Sequence, residues 1–173
     1  EQMPAQVDVI ITSLPNSHVV KEVVEKSLKL FETGRKGLVL VDTTTADPIM
    51  SEELATRLGE KGMEMLDATL SGTSKMCADK EMTIMVGGKE EIIKDCEEIF
   101  ASLGKETLFM GKQGSGALTK LIVNLVLGLN RMVLAEGLSL AKRAGMDQHR
   151  ILEVLKKSAA YSKAMDMKGS KMV

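Results

Sequence analysis

At 173 residues, 44% of them hydrophobic and 27% charged, the chain has the length of one domain or of one domain and part of another. Its composition is globular, which argues against a small disulfide scaffold or a disordered polypeptide. Twenty-three Lys and Arg against 24 Asp and Glu leave a net charge of −1, which gives no electrostatic footprint for nucleic acid or an anionic membrane.

An aromatic content of 2% without Trp argues against stacking platforms for bases or sugars. Cys77 and Cys96 share no metal-like spacing with His18 or His149 and cannot build a disulfide framework. The expectation is a reduced, cytoplasmic chain with no metal site. The thirteen Met read as core filling. No signal-type leader and no run of eighteen uncharged apolar residues occurs, so no membrane span is expected.

The apolar run Val7 to Leu14 closes at Pro15-Asn16 and reads as a buried strand. From Ser17, a plausible N-cap, helical spacing continues to Leu28. Leu38 to Val41 is a second strand with the polar exit Asp42-Thr43-Thr44-Thr45, and Asp47-Pro48 starts a helix that ends near Gly62. Met63 to Leu70 and Thr83 to Val86 are further strands. Lys89 to Leu103 is a helix stopped by Gly104, and Glu106 to Met110 is the last strand. Short apolar strands alternating with amphipathic helices predict an α/β fold, a partial doubly wound, Rossmann-like parallel sheet.

From Gly116 to Ala144 the helical pattern is unbroken, a span of roughly 43 Å and too long for a crossover helix. With a second helix from Asp147 to Ser158, it marks the start of an all-α domain. The expected division is 1–112, the C-terminal part of a dinucleotide-binding domain, and 113–173, the start of a helical substrate or dimerisation domain. No G-x-G-x-x-G follows any strand, so whatever should precede a sheet beginning at Val7 is expected to be missing. Gly111-x-x-Gly114-x-Gly116 reads either as a phosphate cradle or as a domain hinge.

Lys120 interrupts the first turns of the long apolar helix, with Asn124 four residues on and Gly116 and Gly128 on the same face. Glycine on either side leaves the lysine accessible, and poorly solvated surroundings lower an ammonium pKa towards the range of efficient proton exchange. The other reading is a snorkelling lysine beside an interhelical Asn. The second candidate is Asp67-Ala68-Thr69-Leu70-Ser71-Gly72-Thr73, a strand running into a small polar turn. There a hydroxyl and backbone N–H groups can receive a carboxylate, or the segment is an ordinary Ser-Gly turn.

Four spaced motifs, in order over nearly the whole chain, and one further run after them resemble the β-hydroxyacid dehydrogenase family, in its 3-hydroxyisobutyrate dehydrogenase-like form. DATLSGTSKMCADKEMTIMVGG at Asp67 to Gly88 resembles its substrate signature D-x-P-V-S-G-G…G-T-L-T-I-M-V-G-G, and GKQGSGALTKLIVN at Gly111 to Asn124 its G-x-x-G-x-G-x-x-x-K-x-x-x-N helix. Val7 to Asn16 and VDTTTADP at Val41 to Pro48 are similar to its ADVIITSLPN and V-D-x-S-T-x-x-P segments, and Ala135 to Gly145 to its E-A-L-x-L-A-x-x-x-G run.

The resemblance implies hydride transfer between NAD or NADP and a small 3-hydroxy acid or semialdehyde. It implies Lys120 as the general acid/base and Asn124 as the group that orients substrate. Ser71 and Gly72, with Thr73, would bind the substrate carboxylate, and Leu14, Pro15 and Thr45 would line the cofactor. It also implies an internal fragment lacking the first part of the Rossmann domain and the C-terminal helices. A homo-oligomer is expected on separate grounds, because an open sheet without its neighbouring strands and a long apolar helix without partner helices leave hydrophobic surface to be covered. The chain departs from the pattern where Thr69 stands for the family Pro, Thr73 for the second Gly, and Lys80-Glu81-Met82 for G-T-L. The competing reading is a non-catalytic, dehydrogenase-like binding or oligomerisation module.

Overall fold

The computed structural model describes residues 3–173. Residues 1–121 and 122–173 form two compact units. The first is built on a five-stranded sheet: β1 (Val9–Thr12), β2 (Val39–Asp42), β3 (Glu64–Ser71), β4 (Met82–Gly87) and β5 (Gly104–Gly111), paired in chain order. Between them run α1 (Ser17–Glu22), continued by a π-helical segment Val23–Ser27, and α2 (Leu30–Thr33), α3 (Pro48–Gly59), α4 (Ser74–Ala78), α5 (Glu90–Asp95) and α6 (Glu97–Leu103).

Strand alternation sends successive side chains to opposite faces, and both faces are apolar. Leu38 and Leu40 join Val20, Val24, Leu54 and Leu58 in one core, whereas Val39 and Val41 join Leu66, Ile84, Val86, Cys96 and Phe100 in the other. Helices therefore cover both sides. The Rossmann-like α/β class read from the sequence is the one observed, with a correction to the sheet. β1, β2 and β3 are parallel and β4 and β5 are parallel, but β3 and β4 are antiparallel. The physical reason is the connection: only residues 72–81 separate the two strands, and a parallel crossover needs a dozen or more. Two local expectations also change. Asn16, not Ser17, caps α1, accepting Val19 N–H at 3.1 Å, and the helix expected over Lys89 to Leu103 breaks at buried Cys96.

α7 (Ser115–Arg143) starts in the first unit and ends in the second, followed by α8 (Gln148–Lys156) and α9 (Lys163–Lys168). Within the second unit Leu134 and Leu138 pack with Leu152 and Met165. By length and composition α7 is a helix that can cross a membrane, although Lys120 and Arg131 interrupt its apolar run. The expectation that no uncharged apolar run of eighteen residues occurs stands, since these two charges divide the helix. Leu125, Leu129, Met132 and Val133 along it are all more than half exposed.

Candidate active site at the strand ends

The ends of β1 and β2 are joined by side chains of the V-D-T-T-T segment. Thr12 Oγ1 donates to Asp42 Oδ1 at 2.9 Å, Thr44 N–H donates to the same oxygen at 3.1 Å, and Thr43 Oγ1 donates to Thr12 O at 2.8 Å. Thr44 Oγ1 in turn accepts Leu14 N–H at 3.0 Å, and Ser17 Oγ accepts Asp47 N–H at 2.6 Å. Leu14-Pro15 and Thr45, far apart in sequence, are thereby held on adjoining loops. Burial pushes the Asp42 carboxyl above its ordinary pKa, opposed by the hydrogen bonds from Thr44 and Thr12.

One strand over, at the same level, Asp67 stands opposite Asp42. Its side chain is buried, and its two oxygens accept Gly114 N–H at 2.8 Å and Ala117 N–H at 2.7 Å, capping α7 from the sheet. Burial raises the Asp67 pKa, opposed by these backbone donors. Thr69, two residues on along the same face of β3, donates its hydroxyl to Gly116 O at 2.8 Å. The phosphate-cradle reading of Gly111 to Gly116 is therefore corrected: the amides that would receive a phosphate already hold an internal carboxylate. Gly114 is needed for its left-handed φ of +85°. Gly116 serves close packing, because a Cβ there would run into the carbonyl oxygens of Asp67 and Met85.

Lys120 follows in the next turn of α7, half-buried, and desolvation lowers its ammonium pKa from the ordinary value. Its neighbour Leu121 lines an open depression of about 350 Å³ together with Asn16, Ser17, His18, Thr45, Ala46, Asp47 and Met50. Of the predicted site residues only Thr45 lines this depression; Leu14 and Pro15 precede Asn16 on the β1 loop, and Lys120 precedes Leu121 on α7. Ser71, at the end of β3, and Gly72 and Thr73 are on the following loop, where Gly72 and Thr73 line a different depression, with Cys77 and Met82. Thr73 Oγ1 accepts Met76 N–H at 3.3 Å as the N-cap of α4. Asn124 is exposed in the second unit, one turn further along α7. Among the described residues no group of three His, Cys, Asp or Glu gathers to hold a metal.

The donor set at the β1 and β2 ends suits the nicotinamide end of a dinucleotide: Leu14 and Pro15 offer apolar surface, and exposed Thr45 a hydroxyl. The pyrophosphate end finds no such fit, since the chain has no G-x-G-x-x-G and the α7 amides are taken by Asp67. Sequence reasoning treated Asp67 only as part of a motif. The available signal was a carboxylate inside Met65-Leu66-Asp67-Ala68, where an ionised group survives only with partners.

Comparison with known proteins agrees with this geometry. Residues 1–111 match the NAD binding domain of 6-phosphogluconate dehydrogenase, and residues 114–173 match the NAD-binding family model of NADP-dependent 3-hydroxyisobutyrate dehydrogenase. The chain is 32% identical over its whole length to 2-(hydroxymethyl)glutarate dehydrogenase of Eubacterium barkeri, covering 58% of that protein. It is 32% identical over 88% of its length to mitochondrial 3-hydroxyisobutyrate dehydrogenase of Rattus norvegicus, covering 45% of it. Among solved structures, 3-hydroxyisobutyrate dehydrogenase of Mycobacterium tuberculosis with L-serine superposes with a TM-score of 0.86 at 25% identity, over 93% of this chain and 54% of that one. The chain spans about half the length of the relatives it matches. A mixed sheet of this order, a strand-capped long helix and family matches over both segments lead to one conclusion: the chain belongs to the β-hydroxyacid dehydrogenase family.

Proposed function

We propose that the chain is part of an NAD(P)-dependent oxidoreductase that interconverts a small 3-hydroxy acid and its semialdehyde. Residues 1–112 contribute to the dinucleotide-binding domain and 113–173 begin the helical domain. The observation that carries the reading is the half-buried Lys120, its pKa lowered by burial, in the turn of α7 whose Leu121 lines the depression at the β1 and β2 loops.

The chemistry that a bound nicotinamide supplies is acceptance of hydride from the hydroxyl-bearing carbon. Lys120 Nζ takes the hydroxyl proton as the C–O bond becomes a carbonyl, and returns it in the reverse direction. Desolvation raises the fraction of neutral amine available for this. Ser71 and Gly72 hold the substrate carboxylate through a hydroxyl and a backbone N–H, with Thr73 closing the loop as the cap of α4. Asn124 orients the substrate, and Leu14, Pro15 and Thr45 hold the nicotinamide end.

The partners are a small carboxylate substrate and further copies of the chain, with no nucleic acid and no membrane. The family match over 114–173, which includes α7, supports reading that helix as part of a dehydrogenase domain and not as a membrane span. Free Cys77 and Cys96 support a reducing compartment such as the cytoplasm.

In the full-length protein, Lys120→Ala is expected to lower kcat by about 10² to 10⁴-fold at nearly unchanged cofactor affinity. Ser71→Ala should mainly raise KM for the acid. Steady-state kinetics with NAD and NADP separates these outcomes. Retained turnover in Lys120→Ala would return the lysine to a structural role and favour a non-catalytic dehydrogenase-like module.

A further inference from the structure

The helix that carries Lys120 has no local capping side chain, because Gly114 occupies the position before it. Its first turn is instead gripped by two side chains of β3. Asp67 accepts the N–H groups of Gly114 and Ala117, and Thr69 donates to the carbonyl of Gly116. Both gripping side chains are almost wholly buried, at 1% and 0% exposure, so neither bond competes with water. Thr69 stands where the related motif has proline, which has no hydroxyl to offer a helix carbonyl.

We propose that Asp67 and Thr69 are positioning residues for Lys120, a clamp that fixes the rotation and axial register of the turn before it. The proposal rests on the reading of Lys120 as the acid/base. Its logic is helical geometry. Successive residues of an α-helix are rotated by about 100° and advance 1.5 Å, so a slip of one residue would carry Lys120 to a different side of α7. A donor tie alone leaves a turn free to tilt. Ties to N–H groups on both sides of the carbonyl tie restrain tilt and rotation together. Gly87 and Gly116 permit the close approach, since a Cβ at Gly87 would come within 2.6 Å of Asp67 Oδ1 and one at Gly116 would run into Asp67 O.

The test uses the full-length holoenzyme. Thr69→Val keeps volume and β-branching and removes only the hydroxyl. It is expected to lower kcat about ten- to a hundredfold, the scale of a misplaced catalytic group, while KM for acid and cofactor stays within about twofold. Thr69→Ser restores the donor and is expected to recover kcat to within about threefold of the parent. Asp67→Asn should show the same kcat-selective loss. If it does not fold, the Thr69→Val and Thr69→Ser pair decides. Parental kcat in Thr69→Val, or a change confined to KM, overturns the clamp. Lys120→Ala run in parallel distinguishes the two failures. If that variant stays active, the reading of Lys120 falls; if it is inactive while Thr69→Val is not, only the positioning role falls.

Discussion

Asp42 and Asp67 occupy one level of neighbouring strands, each 1% exposed, and they differ in what their oxygens meet. Both oxygens of Asp67 accept backbone N–H groups, so Asn in its place would turn an amide towards a donor, at a cost of about 1–3 kcal/mol. At Asp42 the bonds from Thr12 and Thr44 fall on the same oxygen, which an Asn carbonyl can supply equally well. Burial raises the Asp42 pKa, so the folded protein holds that proton more tightly than the unfolded chain. The associated stability is complete below about pH 4, the range of an unfolded carboxyl, and is lost as pH rises through the raised folded value. Asp42→Asn has no such loss. It should therefore be as stable as the parent at low pH and more stable at neutral pH, as urea midpoints at the two pH values would show. A constant difference across the range would mean that the Asp42 proton is not linked to folding.

Among the elements, α7 lies against the sheet at a glycine. Gly116→Ala should lower stability by about 1–3 kcal/mol through overpacking, despite the helix-propensity gain of about 1 kcal/mol. Gly59, at the end of α3 with open space around it, should respond to Ala by a gain of about 0.5–1 kcal/mol. Thermal melts of the two variants check the contrast, and equal responses would refute the close packing. Elements with a strong local period were legible in the sequence: the strand cores, α3 with its Asp47-Pro48 start, α7 and α8. The reversal of β4 was not, because the direction of a strand leaves no mark on its own residues and is set by the reach of the connection. The break at Cys96 interrupts an apolar period that continues unaltered from Ile92 and Ile93 to Phe100. The motif residues of the site were legible one by one. The clamp was not, since it joins residues 47 and 50 positions apart through a pairing that only the folded sheet creates.

For the molecule as a whole, the consequence of α7 is association. Its apolar side chains, with Val133 at 70% and Met132 at 65% exposure, exceed what scattered surface residues explain, and water disfavours such a contiguous patch. The 173-residue chain should self-associate, seen as a dimer or larger species in concentration-dependent light scattering. A monomer at all accessible concentrations would contradict this and remove the support for a homo-oligomer. The strand cap of α7 also ties the start of that helix to distant chain. The bonds from Asp67 to Gly114 and Ala117 close a loop of nearly fifty residues, an entropic cost that a cap from neighbouring residues would not carry. The turn leading to Lys120 is therefore held only as firmly as β3 is, whatever the intrinsic helicity of the residues that follow it.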